Sequence, residues 1–136
     1  MKKRVVVFGI FDGVHEGHRA LFLRAKEKGD ELVVIVGRDA MCETLKGKTP
    51  RHSQEERVRL VQREQWVDGA VLGDMVQSSY AVLKELKPDV VCFGYDQLRL
   101  RDDFLSYLER NPLDVELYVL EPHQPHIFHN SILHRD

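Results

Sequence analysis

The chain has 136 residues, 43% of them hydrophobic and 31% charged, so it can form a packed core beneath a solvated surface. Its 20 basic and 22 acidic residues give a formal net charge of -2, which argues against a general nucleic-acid or membrane-surface binder. The length fits a single domain over residues 1–136. We expect it in the cytoplasm, because no apolar run approaches the ~20 residues of a membrane helix and the run at 5–8 is too short for a signal peptide.

The first elements alternate between strand and helix. Residues 5–8 form a short apolar run rich in β-branched residues, and turn residues follow it, which predicts a buried strand. Residues 17–28 carry an apolar face at helical spacing and end at Gly29, which predicts a helix. A second buried strand is predicted at 32–36. Together these elements predict a βαβ unit with parallel strands and a right-handed crossover.

The alternation continues along the chain. We predict a loop at 45–52 and a helix from Ser53 to about residue 65, with Ser53 and Glu56 at capping-box spacing. An irregular tail follows residue 120. The whole pattern predicts an α/β fold, a Rossmann-like doubly wound five-stranded parallel sheet with helices on both faces. The remaining elements, a strand, a helix, a strand, a helix and a strand, are predicted at 70–72, 80–86, 90–93, 102–110 and 115–120.

The loop at 9–18 has the strongest functional pattern. It follows the first strand, and ligands of such folds bind beyond the carboxyl ends of the strands. His15 and His18 lie three residues apart at the start of a helix, whose N-terminus attracts phosphate. Two imidazoles there can donate hydrogen bonds to phosphate oxygens as charge builds up. Gly17 between them allows a ligand to approach the backbone closely.

Other phosphate and metal motifs do not fit the sequence. No Gly-x-Gly-x-x-Gly follows a strand, there is no Walker-type Gly-Lys-Ser/Thr, and the two loop histidines are three residues apart where zincins need four. Cys42 and Cys92 are not spaced for a metal, a disulfide is not expected, and Cys92 fits a core position. Pro122 and Pro125 oppose a regular helix through His123, His126 and His129, so the three do not share one face and no structural metal is predicted there.

Four segments in order resemble one enzyme family. Residues 11–18 resemble the HxGH motif of the cytidylyltransferase-like nucleotidyltransferases, 46–50 resemble its lysine loop, and 55–57 resemble the arginine-bearing start of its next helix. Residues 93–97, Phe-Gly-Tyr-Asp-Gln, resemble archaeal-type FAD synthases in particular. Glycerol-3-phosphate cytidylyltransferase shares the layout but usually differs within this last segment. The resemblance spans nearly the whole chain.

This resemblance implies an in-line attack by a phosphate oxygen of the acceptor on the α-phosphorus of a nucleoside triphosphate, which releases pyrophosphate. Such chemistry needs positioning and charge stabilisation more than a protein nucleophile. By position, His15 and His18 would stabilise the α-phosphate and the transition state. Lys46 would reach the substrate phosphates from its loop with Lys48 as its helper, and Arg57 would contact the β- and γ-phosphates.

The resemblance also implies the substrate contacts and the cofactor. Mg²⁺ would accompany the triphosphate, whose oxygens supply most of its ligands. The family further implies a homodimer as the assembly to test. Besides both histidines, the residues implied for the nucleotide are Gly9, Ile10, Phe11, Asp96, His129 and Ser131. Those implied for the acceptor are Asp12, Lys48 and Tyr95.

Two departures from the family pattern leave alternatives open. The usual Thr of the first loop is Ile10, and only five residues follow Ser131, where the family has its last helix. The first interpretation is transfer of AMP from ATP to FMN. The second is a cytidylyltransferase for glycerol 3-phosphate or a similar phosphorylated alcohol, and the third is a nucleotide-binding protein without turnover. At single residues, Arg57 could instead pair with Glu56 on the helix surface, and Asp12 could cap a turn.

Overall fold

The apolar runs pair into one parallel sheet in the computed structural model, which describes residues 2–40, 47, 50–75 and 79–121. The strand order is β3-β2-β1-β4-β5, and every neighbouring pair is parallel. The chain therefore builds outward from β1 to one edge and then crosses back to build the other half. The strands are β1 (Arg4–Gly9), β2 (Glu31–Val36), β3 (Gly69–Leu72), β4 (Val90–Gly94) and β5 (Glu116–Leu120).

Capping residues mark the start of one helix and the end of another. The hydroxyl of Ser53 accepts a hydrogen bond from the amide of Glu56 at 3.2 Å, as the predicted capping residue should. Lys87 adopts a left-handed conformation that ends the third helix directly before Pro88. The described helices are α1 (Glu16–Lys26), α2 (Gln54–Gln62), α3 (Val82–Leu86) and α4 (Leu98–Arg110).

The start of α4 differs from the prediction. The helix begins at Leu98 and not at residue 102, because the amide of Arg101 already bonds to the carbonyl of Gln97 at 3.0 Å. Leu98 and Arg101 belong to a stretch of good helix formers with no breaker, so the helix can follow β4 after a very short turn. This early start brings the first turn of α4 close to the carboxyl end of β4.

Each face of the sheet is covered by its own helices. Along β1, Val5 and Val7 belong to one apolar cluster, and Val6 and Phe8 belong to a second. This alternation follows from the two-residue repeat of a strand. Helices α1 and α2 contribute to the first cluster, and α3 and α4 to the second, through Phe22, Val61, Leu83, Phe104 and Tyr107. The predicted doubly wound sheet is therefore confirmed.

Phe104 is the centre of the second cluster, and its removal should destabilise the fold strongly. Its side chain is fully buried, and its ring centroid lies 5.1 Å from that of Tyr80 and 5.9 Å from that of Phe93. We expect Phe104→Ala to lower the free energy of unfolding by about 3–5 kcal/mol in urea denaturation, because a cavity is left. Leu105→Ala, at its exposed neighbour, is the control and should change it by about 0.5 kcal/mol. Equal effects at the two positions would refute this packing.

Cys92 lies inside β4 as predicted for a core residue. Its side chain is fully buried, it forms no disulfide, and burial raises the pKa of its thiol to about 12. It is therefore not a candidate nucleophile. Cys42 lies outside the described residues. Within the described ranges, no helix is both long and apolar enough to cross a membrane.

Candidate active site

The carboxyl ends of β1 and β4 lie side by side in the middle of the sheet. The chain leaves β1 through α1 toward β2 and leaves β4 through α4 toward β5, in opposite directions. Ligands of open α/β sheets bind outside the strands at this kind of switch point. The loop at 10–15 follows β1, and residues 95–97 follow β4. The fold thus brings together two of the segments that the sequence predicted to carry the site.

His15 and His18 form a stacked pair at the start of α1. Nδ1 of His15 accepts a hydrogen bond from the amide of Gly17 at 3.0 Å, and Nδ1 of His18 accepts one from the amide of His15 at 3.3 Å. The two ring centroids are 3.8 Å apart. A neutral imidazole that accepts at Nδ1 carries its proton on Nε2. In the neutral form of each ring the proton is therefore on Nε2, which acts as the hydrogen-bond donor.

The same two contacts form a capping box on α1. They satisfy amides that a helix N-terminus otherwise leaves without partners, so each imidazole is held in orientation by the backbone. The positive end of the dipole of this 11-residue helix lies at the same terminus as the two imidazoles. Oriented N–H donors at such a terminus can stabilise negative charge on a phosphoryl group without reorganising.

Phe11 packs against His18 of the histidine pair. It has a positive φ of 55°, is only 4% exposed, and packs edge-on against His18 with ring centroids 5.0 Å apart. Gly9 makes room for this ring, since a Cβ there would lie 2.4 Å from a ring atom of Phe11. Ile10 packs in a similar way over Gly37. A nucleotide contact at residues 9–11 stays a prediction.

Asp12 ties the histidine loop to the segment before α2. Its carboxylate accepts hydrogen bonds from the amides of Arg51 and His52 at 2.8 and 3.0 Å, and lies 3.0 Å from Nδ1 of His52. Burial pushes the pKa of Asp12 upward, but these hydrogen bonds outweigh it and hold the pKa at about 2. Asp12 therefore caps the backbone of the segment at residues 51 and 52, and not the turn in its own loop that the alternative interpretation proposed. Its predicted contact to the acceptor stays a prediction.

The depressed pKa of Asp12 has a consequence for stability. Asp12→Asn should lower the free energy of unfolding at pH 7 by about 1–3 kcal/mol, because hydrogen bonds to a charged group are lost. The ionised carboxylate stabilises the fold above its ordinary pKa of 3.8, and this contribution disappears as the pH falls toward about 2. Urea denaturation of both proteins across this range measures the difference.

A matched control is Asp102→Asn, since Asp102 is exposed and pairs only with its neighbour Arg101 among the contacts described. This variant should match the wild type at every pH. A loss at Asp12 that persisted undiminished at the acidic end would contradict the electrostatic origin.

Arg57 is fully buried and does not pair with Glu56 on the helix surface. Its Nη1 donates to the carbonyls of Ile10 and Gly37 at 2.8 and 2.7 Å, and its Nε donates to the carbonyl of His52 at 3.1 Å. Its Nη2 forms an ion pair with Asp39 at 2.5 Å.

These contacts join the three chain segments that follow β1, follow β2 and precede α2. The interpretation of Arg57 as an exposed helix residue is therefore wrong. Its direct contact with the triphosphate stays a prediction, because no part of the side chain is exposed in this structure.

The residues after β4 form the other wall of the site. Asp96 is exposed and its carboxylate lies over Gly94, where a Cβ would be 3.1 Å from Oδ1. The side chain of Tyr95 is 56% exposed. Gln97 crosses from this wall to β1, since its Nε2 donates to the carbonyl of Phe8 at 2.8 Å. Tyr95 and Asp96 are thus exposed at the same end of the sheet as the histidine loop, after the neighbouring strand.

Comparison with known proteins assigns the chain to a family. The cytidylyltransferase-like family model matches residues 6–134. The chain is 40% identical over 119 residues to an FAD synthase of Pyrococcus horikoshii, covering 88% of this chain and 80% of that protein. It is 39% identical over 127 residues to an FAD synthase of Methanopyrus kandleri, covering 91% and 83%. This chain belongs to the cytidylyltransferase-like family.

Solved structures share the fold of this chain. The chain superposes with a TM-score of 0.80 on a protein of Thermoplasma volcanium described as a lipopolysaccharide core biosynthesis protein, with 31% identity and coverage of 91% and 98%. It superposes on a pantoate-beta-alanine ligase of Francisella tularensis with a TM-score of 0.63 and 13% identity, which supports the fold alone. The predicted α/β fold, the family resemblance and the prediction of a nucleotidyltransferase are confirmed.

Several predicted site residues of this cytidylyltransferase-like chain lie outside the described residues. Both lysines of the lysine loop and the polar residues of the tail belong to this group, so their roles stay predictions. Within the described ranges, no group of three or more His, Cys, Asp or Glu side chains could hold a metal ion. The predicted site residues concerned are Lys46, Lys48, His129 and Ser131, and His123 and His126, where no metal is predicted, also lie outside the described residues.

The sequence analysis missed residues that hold the site together. Asp39 and His52 provide partners for Arg57, and Gln97 links the two central strands. They gave little signal because each is a single polar residue between a strand and a helix or at a helix start, where polar residues are expected anyway. The Gly-Tyr-Asp-Gln resemblance did include Gln97, but it did not indicate which backbone groups the amide would bond.

Proposed function

We propose that this protein is an FAD synthase that transfers AMP from ATP to FMN and releases pyrophosphate. The observation that carries the transfer chemistry is the stacked pair of His15 and His18, in which both Nδ1 atoms accept backbone hydrogen bonds. The choice of substrates is supported by the FAD synthases of Pyrococcus horikoshii and Methanopyrus kandleri, at 40% and 39% identity over most of the chain.

The reaction requires one bond to form and one to break. An oxygen of the FMN phosphate forms a bond to the α-phosphorus of ATP, and the bond from that phosphorus to the oxygen bridging to the β-phosphate breaks. Pyrophosphate leaves with that oxygen, and no covalent enzyme intermediate is needed. Nε2–H of His15 and of His18 would donate to oxygens of the α-phosphate as their negative charge increases.

The rest of the described site positions these donors. Asp12 and Arg57 fix the histidine loop to the start of α2, into which the predicted lysine loop leads directly. On the other wall, Tyr95 offers an exposed ring that suits stacking with a planar flavin. Asp96, beside it, would accept hydrogen bonds from a ribose or ribityl hydroxyl. These proposed contacts are the ones that the family resemblance implies for Tyr95 and Asp96.

The described residues fit Mg²⁺ that arrives with the nucleotide. Asp12 is engaged with Arg51 and His52, and Asp39 is paired with Arg57, so neither carboxylate is arranged as part of a metal cage. The triphosphate oxygens and water would hold the ion, as is common for Mg²⁺. When bound, it neutralises negative charge on the triphosphate.

The proposal is tested by pyrophosphate release across a panel of substrates. ATP and CTP are each combined with FMN, glycerol 3-phosphate or other small phosphate monoesters, with Mg²⁺ present. The proposal predicts turnover with ATP and FMN. Turnover only with CTP and a phosphorylated alcohol would replace it with the cytidylyltransferase interpretation. Thermal stabilisation by a nucleotide with no pyrophosphate from any pair would replace it with a nucleotide-binding protein without turnover.

A further inference from the structure

The two central strands separate before they end. β1 pairs with β4 from Val5 opposite Val90 to Val7 opposite Cys92. Each strand then continues to a glycine while still paired on its other side, β1 with β2 and β4 with β5. The sheet is therefore split along its midline at the carboxyl end, where the switch point lies.

The side-chain amide of Gln97 bridges this split. Its Oε1 accepts a hydrogen bond from the amide of Gly94 at 2.8 Å, and its Nε2 donates to the carbonyl of Phe8 at 2.8 Å. Gly94 is buried and Phe8 is 9% exposed, so both backbone groups need partners that water supplies poorly. A carboxamide has a donor and an acceptor on the same carbon, as a peptide group does, so it can replace the missing rung of the ladder.

The bridge connects the two walls of the site. Phe8 lies two residues before Ile10 in the histidine loop, and Gly94 directly precedes Tyr95 and Asp96. Gln97 is also the residue from which α4 begins, and its own amide bonds to the carbonyl of Gly94 at 3.0 Å. The glutamine is thus held by its backbone on one wall while its side chain reaches the other.

We infer that Gln97 is a positioning residue that sets the separation between the histidine loop and the wall formed by Tyr95 and Asp96. This inference rests on the proposed function, in which the nucleotide lies between these two walls. A separation that is wrong by about 1 Å can cost up to about 100-fold in rate for such a reaction. In this role, Gln97 would not touch the reacting atoms.

Three variants test the bridge. Gln97→Met keeps the length of the side chain and loses both hydrogen bonds. Gln97→Glu keeps the shape but, when ionised, puts an oxygen against the carbonyl of Phe8. Gln62→Met is the matched control, because Gln62 also donates to a strand carbonyl, that of Ala70 at 3.2 Å, away from the switch point. For each protein, kcat and KM are measured for ATP and FMN, and circular dichroism checks folding.

We expect Gln97→Met to lower kcat/KM for ATP about 10- to 100-fold, while Gln62→Met stays close to the wild type. Gln97→Glu should be equally impaired at about pH 8 and should recover toward the wild type, measured at the same pH, at about pH 5.5. The recovery is expected because a protonated carboxyl group can donate to one backbone group and accept from the other, as the amide does. Gln97→Met should show no such recovery.

The outcomes separate this inference from the proposed function. If the wild type turns over ATP and FMN and Gln97→Met is equally active, the inference fails and the function stands. If Gln97→Met does not fold, the comparison of Gln97→Glu at the two pH values decides, and an absence of recovery overturns the inference. If the wild type neither binds nor turns over ATP, the proposed function fails and the inference fails with it.

Discussion

Replacing His18 with Asn should lower kcat for the AMP transfer by about 10²- to 10³-fold. Nε2–H of His18 is the donor that this substitution removes, and the loss of one preorganised donor typically has an effect of this size. Oδ1 of Asn can occupy the position of Nδ1 and accept the hydrogen bond from the amide of His15. The helix cap should therefore survive, and the free energy of unfolding should change by less than about 1 kcal/mol.

His18→Gln provides the matched comparison. The amide nitrogen of Gln reaches the position of Nε2 and restores a donor, but the side chain gives up the contact to the His15 amide. We expect it to keep more turnover than His18→Asn and to be less stable. Steady-state kinetics and thermal denaturation of both variants check the two halves of this assignment. Full turnover by His18→Asn would show that His18 does not act on the transferred phosphoryl group.

The second large effect is expected at Arg57. Arg57→Met should lower the free energy of unfolding by about 2–5 kcal/mol, because it leaves the carbonyls of Ile10 and Gly37 and the partly exposed carboxylate of Asp39 without their donor. Urea denaturation measures this change. Activity should fall with it, even in conditions where the variant is folded, because the histidine loop keeps only the connection through Asp12 to the start of α2 among those described.

Arg59→Met is the control on the same helix, since Arg59 is exposed. It should change stability by about 0.5 kcal/mol. The two roles considered for Arg57 predict different results. A residue that only positions loops lowers stability and kcat together when it is replaced. If Arg57→Met were as stable as Arg59→Met but had a greatly raised KM for ATP, Arg57 would instead contact the triphosphate directly, as the family resemblance implies.

The elements and the location of the site were accessible from the sequence because they depend on local patterns. Residues 32–36 and 90–93 are unbroken apolar runs, as strands buried on both faces require. His15 and His18 lie at the start of the helix that follows the first strand, so their position at the switch point follows from the fold class. The start of α4 was predicted too late because no proline or capping residue marks it.

The internal support of the site was not accessible in this way. Arg57 occupies a helix position where a charged side chain is ordinarily exposed, and only the meeting of three chain segments provides enough carbonyl groups to bury it. The bridge made by Gln97 likewise depends on residues far apart in the chain. Such contacts follow from tertiary geometry, for which periodicity and spacing provide no signal.

The central claim is tested most directly by following the α-phosphorus of ATP. The full-length protein is incubated with Mg²⁺, FMN and ATP labelled at the α-phosphorus, and the products are separated by chromatography. The account predicts that the label appears in FAD in equal amount to the pyrophosphate released, and that His18→Asn forms this product at a rate lower by about 10²- to 10³-fold. Label that stays in ATP, or that moves to an acceptor other than FMN when both are supplied, would contradict it.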